Sequence, residues 1–420
     1  MTGHGPGRAA GYEAAVRSWA AHLVGGGTTD WRTWLDRHPE PPASPAPAVE
    51  VLPGAAQLEL VRRLATSGPA VERFDELARR VLTTSAPGRG PGELSLVWPG
   101  AGAREDSGPG GTAGGFPAVD PSALDAEELL RACVGALAGL LHDVSGRGVD
   151  LPGPPRPGRV WVPWRRAFTV HGSPVLAEAV RVSLRRRGLL QGGRRAVHLV
   201  IAAPFDQMMA EHWIRRTRTG SDIAWARLWR RARTVDRVPP AIAVDELAGR
   251  LAAQSGPERV RLLVAADTTE AVVLAAEAMG LPGQGQRPGG GQLDPPYAPP
   301  LDVVSAELLR RLNGVLRLRV DAERRRQLAV DVLPRVVGHT GAGHLGAPRG
   351  LARWGRETGG RMAAALAGAG YPVLGDARLV VPGPMAGVRR TVDRDAVLEL
   401  GLAACVRAWA LLERPAPKER

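Results

Sequence analysis

The sequence predicts an α/β protein. A parallel sheet flanked by helices is preceded by an α-helical module and followed by a helical extension. Three observations carry this. Short apolar runs, "RAFTV" ending at Val170, "AVHLVIAA" at 196–203 and "RVRLLVAAD" at 259–267, each lead into an amphipathic helix. Strand–helix alternation of that kind builds a parallel sheet covered by helices. The middle run is continuously apolar, as a strand buried on both faces is. Before residue 146 and after residue 303, helical periodicity dominates.

The elements follow in order. Residues 12–24 read as a helix with Val16, Trp19 and Leu23 on one face. Thr29 or Asp30 caps a second helix carrying Trp31, Trp34 and Leu35. "GAAQLELVRRLAT" and "AVERFDELARRVLTTS" form an α-hairpin, and "DAEELLRACVGALAGLLHDV" a helix capped by Ser122 or Asp125. The sheet region then runs strand, helix from Ser173 to Arg187, strand, helix from Asp206 to about residue 218, and the helix "SDIAWARLWRRAR" capped by Ser221 or Asp222. The helix "VDELAGRLAAQSG", the third strand and the helix "TTEAVVLAAEAMGL" complete it. Helices are expected over 303–317, 321–337, 348–369 and 394–413, with "YPVLGD" extended before the last. The predicted organisation is a helical module with Gly/Pro-rich linkers (1–145), the α/β domain (158–385), and a C-terminal helix and tail (386–420).

Composition excludes several chemistries. The formal charge is +13, and Lys418 is the only lysine in 420 residues. A phosphate-loop lysine, a Schiff-base lysine and a kinase strand lysine are therefore absent from the body of the chain. The two cysteines, Cys133 and Cys405, sit in apolar helical stretches, without CxxC spacing. They are expected to be a buried thiol pair, and no metal site is expected. No secretory h-region is visible near residue 1, and no apolar run approaches the ~20 residues of a membrane span. The expectation is a cytoplasmic protein with no membrane partner. Residues 151–240 carry 18 arginines against five acidic residues, which alone equals the charge of the whole chain. A field of that sign attracts anions, or it reflects solvated helix faces.

The candidate site centres on His171-Gly172-Ser173-Pro174, where a strand stops and a helix starts. A helix N-terminus carries free amides and a partial positive charge, so it can hold an anion. Ser173 suits the N-cap and Pro174 the first helical position. His171 is the candidate catalytic base, and Gly172 and Ser173 are the candidate anion cradle. Asp206 follows the next strand, so it and His171 are placed to face one crevice at the strand C-terminal ends. Arg165 and Arg166 add phosphate-binding forks. The same loop also suits a plain strand-to-helix turn. Trp225 and Trp229, four apart on a helix, are read as core; His339 and His344, in a glycine-rich loop, lack a third ligand for a metal.

In order and spacing of segments, roughly residues 160–385 resemble the sulfotransferase family, a P-loop-type α/β fold, and within it a divergent actinobacterial group. "FTVHGSPVLAEAV" stands where that family places its 5′-phosphosulfate loop, and "HLVIAAPFDQMMAEHW" where it places its second strand and 3′-phosphate site. "GSDIAWARLW", "ERVRLLVAAD", "VVSAELLRRLNGVL" and "GRMAAALAGAGYPVLGD" resemble later segments of the same group. The resemblance implies 3′-phosphoadenosine 5′-phosphosulfate as the cofactor. The donor motifs are degenerate, however. The family loop Gly-x-Pro-Lys-x-Gly-Thr has neither its lysine nor its second glycine here, and its 3′-phosphate arginine position falls on Ala203.

The resulting expectation is a non-standard or inactive sulfotransferase-fold protein that binds an anionic small molecule or glycan. Two alternatives stand beside it. One is a non-enzymatic scaffold with a protein partner, working through the helical module. The other is nonspecific nucleic-acid binding through the arginine-rich 151–240 segment.

Overall fold

A computed structural model describes residues 6–38, 54–67, 72–84, 96, 119–146, 167–281, 301–338, 345–383 and 391–413. The chain divides into two compact units. The first comprises Met1–Pro152, Arg311–Gly338 and Asp393–Arg420; the second comprises Gly153–Arg310 and His339–Val392.

The first unit is helical. It contains α1 (Pro6–Val24), α2 (Trp31–Arg37), α3 (Ala55–Ser67), α4 (Phe74–Leu82) and α5 (Ala126–Gly146). Asp30 caps α2 through the Thr33 amide at 3.0 Å, and Asp125 caps α5 through the Glu128 amide at 2.9 Å. Trp19, Trp31 and Leu23 are buried, as the apolar stripe requires. Helix α5 is long and apolar enough to cross a membrane by length and composition, and it exceeds the apolar run expected from sequence. Of its most apolar window, 67% is buried by the fold itself, the pattern of a core helix. Its partner is α15 (Arg394–Glu413). There the Cys405 thiol lies 4.0 Å from the Cys133 carbonyl, both residues are buried, and both thiols are free.

The C-terminal helix, expected as an extension of its own, thus belongs to the helical unit. So does the stretch from residue 311 to 338. Its anchor is Arg311, whose two terminal nitrogens donate to the Glu127 carboxylate at 2.7 and 2.8 Å. The single helix expected over 321–337 is three pieces: α12 (Ala322–Gln327), a π-helical turn (Leu328–Val332) and α13 (Leu333–Val337). Pro334 has no amide to donate to the carbonyl four residues back, and the ladder widens just before it.

The second unit is a five-stranded sheet of order β2-β1-β3-β4-β5, with every neighbouring pair parallel. Strand β1 (Ala167–Gly172) pairs Thr169 with His198 and Gly172 with Ile201 of β3 (Val197–Ala202). Strand β4 (Val260–Val264) lies on the far side of β3. The edges, β2 (Leu190–Gln191) and β5 (Val373–Leu374), are two residues each, too short to leave a periodic signal. Helices α6 (Pro174–Arg186), α7 (Phe205–Arg218), α8 (Trp225–Thr234), α9 (Val244–Ser255), α10 (Thr268–Ala278) and α14 (Ala352–Ala367) belong with the sheet, and α11 (Val303–Arg319) begins in this unit. The order 2-1-3-4-5 is that of a doubly wound sheet, in which the direction of winding, though not of the strands, reverses between β1 and β3.

The core explains the rest. Leu199, Val200, Ile201 and Ala202 are fully buried, and so are Leu262, Leu263 and Val264. Five aromatic residues pack together: Phe205 against Trp229 and Trp354 at 5.7 Å between centroids, and Trp225 against Trp229 at 5.6 Å and Trp213 at 5.9 Å. The Trp225/Trp229 pair is core, as its spacing predicts. Helix α8 starts at Trp225 with Ala224 at its N-cap, not at Ser221 or Asp222. Tertiary bonds hold that stretch out of the helix. Trp213 Nε1 donates to the Ile223 carbonyl at 2.8 Å, and Arg310 to the Asp222 carbonyl at 3.2 Å.

Candidate functional site: the β1/β3 switch point

In doubly wound sheets, ligands sit outside the strand C-terminal ends where the winding reverses. Here that place is the end of β1 and β3. Gly172 ends β1 at φ +97°, and a Cβ there would lie 2.1 Å from the Ile201 carbonyl oxygen. Only glycine lets β1 turn this close to β3. The Ser173 amide then donates to the same carbonyl at 2.8 Å, and α6 begins at Pro174.

The cradle at the start of α6 is occupied by the protein itself. Ser173 is completely buried. Its hydroxyl donates to Oε2 of Glu211 on α7, and the Val175 amide donates to the same oxygen at 2.9 Å. Gln207 Nε2 donates to the other carboxylate oxygen at 3.0 Å. Glu211 is itself buried. A carboxylate thus stands where the partial positive charge of a helix N-terminus would receive a phosphate or sulfate oxygen. From sequence, Glu211 is merely near Asp206 and His212. Only the packing of α7 against α6 brings it to Ser173.

Asp206 is not the N-cap of α7. The helix begins at Phe205, Pro204 holds the cap position, and Asp206 lies in the first turn with its carboxylate accepting from the Gln207 amide at 3.1 Å. The third helix at this edge, α10, is also closed by carboxylates. Asp267 accepts from the Glu270 amide at 2.9 Å, and Glu270 from the Ala266 amide at 2.7 Å. The edge that holds ligands in such folds is therefore lined with acidic groups, each matched to a helix dipole.

His171 belongs to a line of side chains running back along the sheet. Its Nε2 lies 3.1 Å from Thr169 Oγ1; Thr169 Oγ1 is 2.7 Å from His198 Nδ1; His198 Nε2 is 3.0 Å from the Ser255 hydroxyl at the end of α9. Alternation along β1 and the Thr169–His198 register put the first three on one face. Both imidazoles titrate below the ordinary histidine range. Burial is the main cause for each, reinforced by His198 and Arg181 at His171 and by Arg259 at His198. Neutral rings carry one donor and one acceptor each, and the two hydroxyls carry both, so the line is satisfied in either direction. The Nε2 of His171 is thereby turned toward Thr169. His198, Thr169 and Ser255 were not singled out from sequence; the T-x-H alternation in β1 was the available signal.

The arginines lie elsewhere. Arg185 and Arg186 are exposed in the last turn of α6, ahead of β2; Arg194 and Arg195 are exposed ahead of β3; Arg259 immediately precedes β4. These positions mark the N-terminal edge of the sheet. Arg165 and Arg166, which precede β1 in sequence, lie outside the described residues, as do His339 and His344. The described start of β1, Ala167, is five residues from Gly172, about 16 Å along the strand. Among the described residues no group of three or more His, Cys, Asp or Glu is placed to hold a metal ion.

Fold and site together define a doubly wound parallel α/β protein whose phosphate-type cradle is filled by its own glutamate. No family model matches the chain, and neither a curated protein nor a solved structure matches it.

Proposed function

We propose that this chain is a non-catalytic binding protein whose α/β unit is sulfotransferase-like in its plan, and that its anionic ligand is met by surface arginines rather than by the strand-to-helix cradle. The observation that carries this reading is Glu211. With its carboxyl group accepting from both the Ser173 hydroxyl and the Val175 amide, an incoming phosphosulfate would have to displace a buried, hydrogen-bonded side chain. The loop also lacks the lysine that would neutralise transferring sulfuryl oxygens. His171 is engaged with Thr169, and a role as general base would require that contact to break.

The test is thermal unfolding of the full chain with 3′-phosphoadenosine 5′-phosphate, with ATP and sulfate as controls. The expected result is no selective shift of Tm. A shift specific to the 3′-phosphorylated nucleotide, abolished in Ser173→Ala, would overturn the reading and restore donor binding at the cradle.

A further inference from the structure

Helix α8 is divided sharply by side-chain type. Trp225, Leu228, Trp229 and Ala232 are buried, whereas Arg227, Arg230, Arg231 and Arg233 are exposed. At 100° per residue the four arginines centre opposite the buried stripe, and they span about 9 Å of helix axis. None of the four has an ionic partner among the described residues. Six residues separate α8 from α7, whose last turn carries Arg215, Arg216 and Arg218, all exposed. Asp236, just past the end of α8, is engaged elsewhere: its carboxylate accepts from Trp354 Nε1 at 2.9 Å and lies 3.4 Å from Arg361.

We infer that the outer face of α8 binds the sugar-phosphate backbone of duplex nucleic acid without sequence preference. Guanidinium forks match phosphate oxygens in bidentate fashion. A duplex presents one charge per about 1.7 Å of its axis, so about five phosphates fall within the length of this face. Single strands are instead held by aromatic platforms that stack on bases. The tryptophans of α7 and α8 are all turned inward, at 5% exposure or less, so the face offers forks and no platform. A duplex, whose charge is outermost and whose bases are already stacked, fits that chemistry. This inference rests on the reading that arginines make the anion contact.

The experiment is fluorescence anisotropy of a labelled 20-base-pair duplex of arbitrary sequence with the full chain, from 50 to 200 mM KCl. If the four arginines each neutralise a phosphate, their share of the affinity falls about 150-fold over that range, a slope of about −3.6 in log K against log salt. The variant with Arg227, Arg230, Arg231 and Arg233 all changed to Gln should lose that share of the slope. The matching Lys variant, which keeps charge and guards against misfolding, should keep it. Changing Arg185, Arg187, Arg194 and Arg195 to Gln removes equal charge from another place and should leave most of the slope. Equal losses in the two Gln variants would overturn the inference in favour of diffuse net charge. Tighter binding to a heparin oligosaccharide, lost with the same α8 residues, would overturn it in favour of a sulfated glycan while sparing the arginine reading. No binding to either polyanion at 50 mM would sink both.

Discussion

His212 offers a quantitative test of how this fold handles a buried titratable group. It sits on α7, is 8% exposed, and neither ring nitrogen has a hydrogen-bond partner among the described residues. Burial pushes its pKa from 6.5 down to about 4, with the positive charges of Arg216 and Arg215 acting in the same direction. The native state therefore holds His212 neutral, while the unfolded chain takes up a proton below about pH 6.5. Folding stability contributed by the neutral ring is fully present above pH 6.5 and is lost as pH falls toward 4. A gap of 2.5 pH units is worth about 3 kcal/mol, a large share of the roughly 5–15 kcal/mol of a typical fold. In His212→Leu that loss disappears, because nothing remains to protonate. At pH 7.5 the variant should be at least as stable as the parent, since two unpaired buried nitrogens are replaced by methyl groups. Urea unfolding of both proteins at pH 7.5, 6, 5 and 4.5 reads the difference directly. His171 and His198 shift in the same direction and cancel in the comparison. A gap between variant and parent that stays constant with pH would refute the argument.

Other expectations follow from the same structure. Glu211→Ala leaves the Ser173 hydroxyl and the Val175 amide without their acceptor; a loss of about 2–3 kcal/mol in chemical denaturation is expected, and no loss would mean the carboxylate does not hold the α6 start. Gly172→Ala forces a Cβ to 2.1 Å from the Ile201 oxygen at φ +97°, so the variant should lose several kcal/mol or fail to fold; near-normal Tm would mean β1 can turn another way. Trp229→Ala removes a fully buried ring that meets Phe205, Trp225 and Trp354, with an expected cost of about 3–5 kcal/mol by calorimetry. Glu127→Gln weakens the pairs with Arg311 and Arg394. Its carboxyl titrates below the ordinary range mainly through the Arg311 hydrogen bond, so the pair's contribution is present above pH 4.5 and lost as pH falls through the lowered value. The partly exposed position keeps that contribution below about 1 kcal/mol.

Some of this was legible in the chain. Strands β1, β3 and β4 are short apolar runs closed by turn residues, and period and punctuation are local properties. The inward Trp225/Trp229 pair and the caps at Asp30 and Asp125 are local too, because side chain and partner lie within four residues. The start of α8 was not readable, since its carbonyls are held by Trp213 and by Arg310, ten and 88 residues away.

The sequence by itself determined the α/β class, the missing lysine, the buried thiols and the arginine excess of residues 151–240. Each follows from composition or from spacing within a turn or two. The tertiary structure decided which charges meet. Glu211 and Ser173 are 38 residues apart, and only the doubly wound crossing of α6 and α7 turns one into the other's acceptor. The same winding puts carboxylates at the strand C-terminal edge and arginines at the N-terminal one. Helix dipoles favour both placements, and a dipole acquires its place beside the sheet only once the strands have paired.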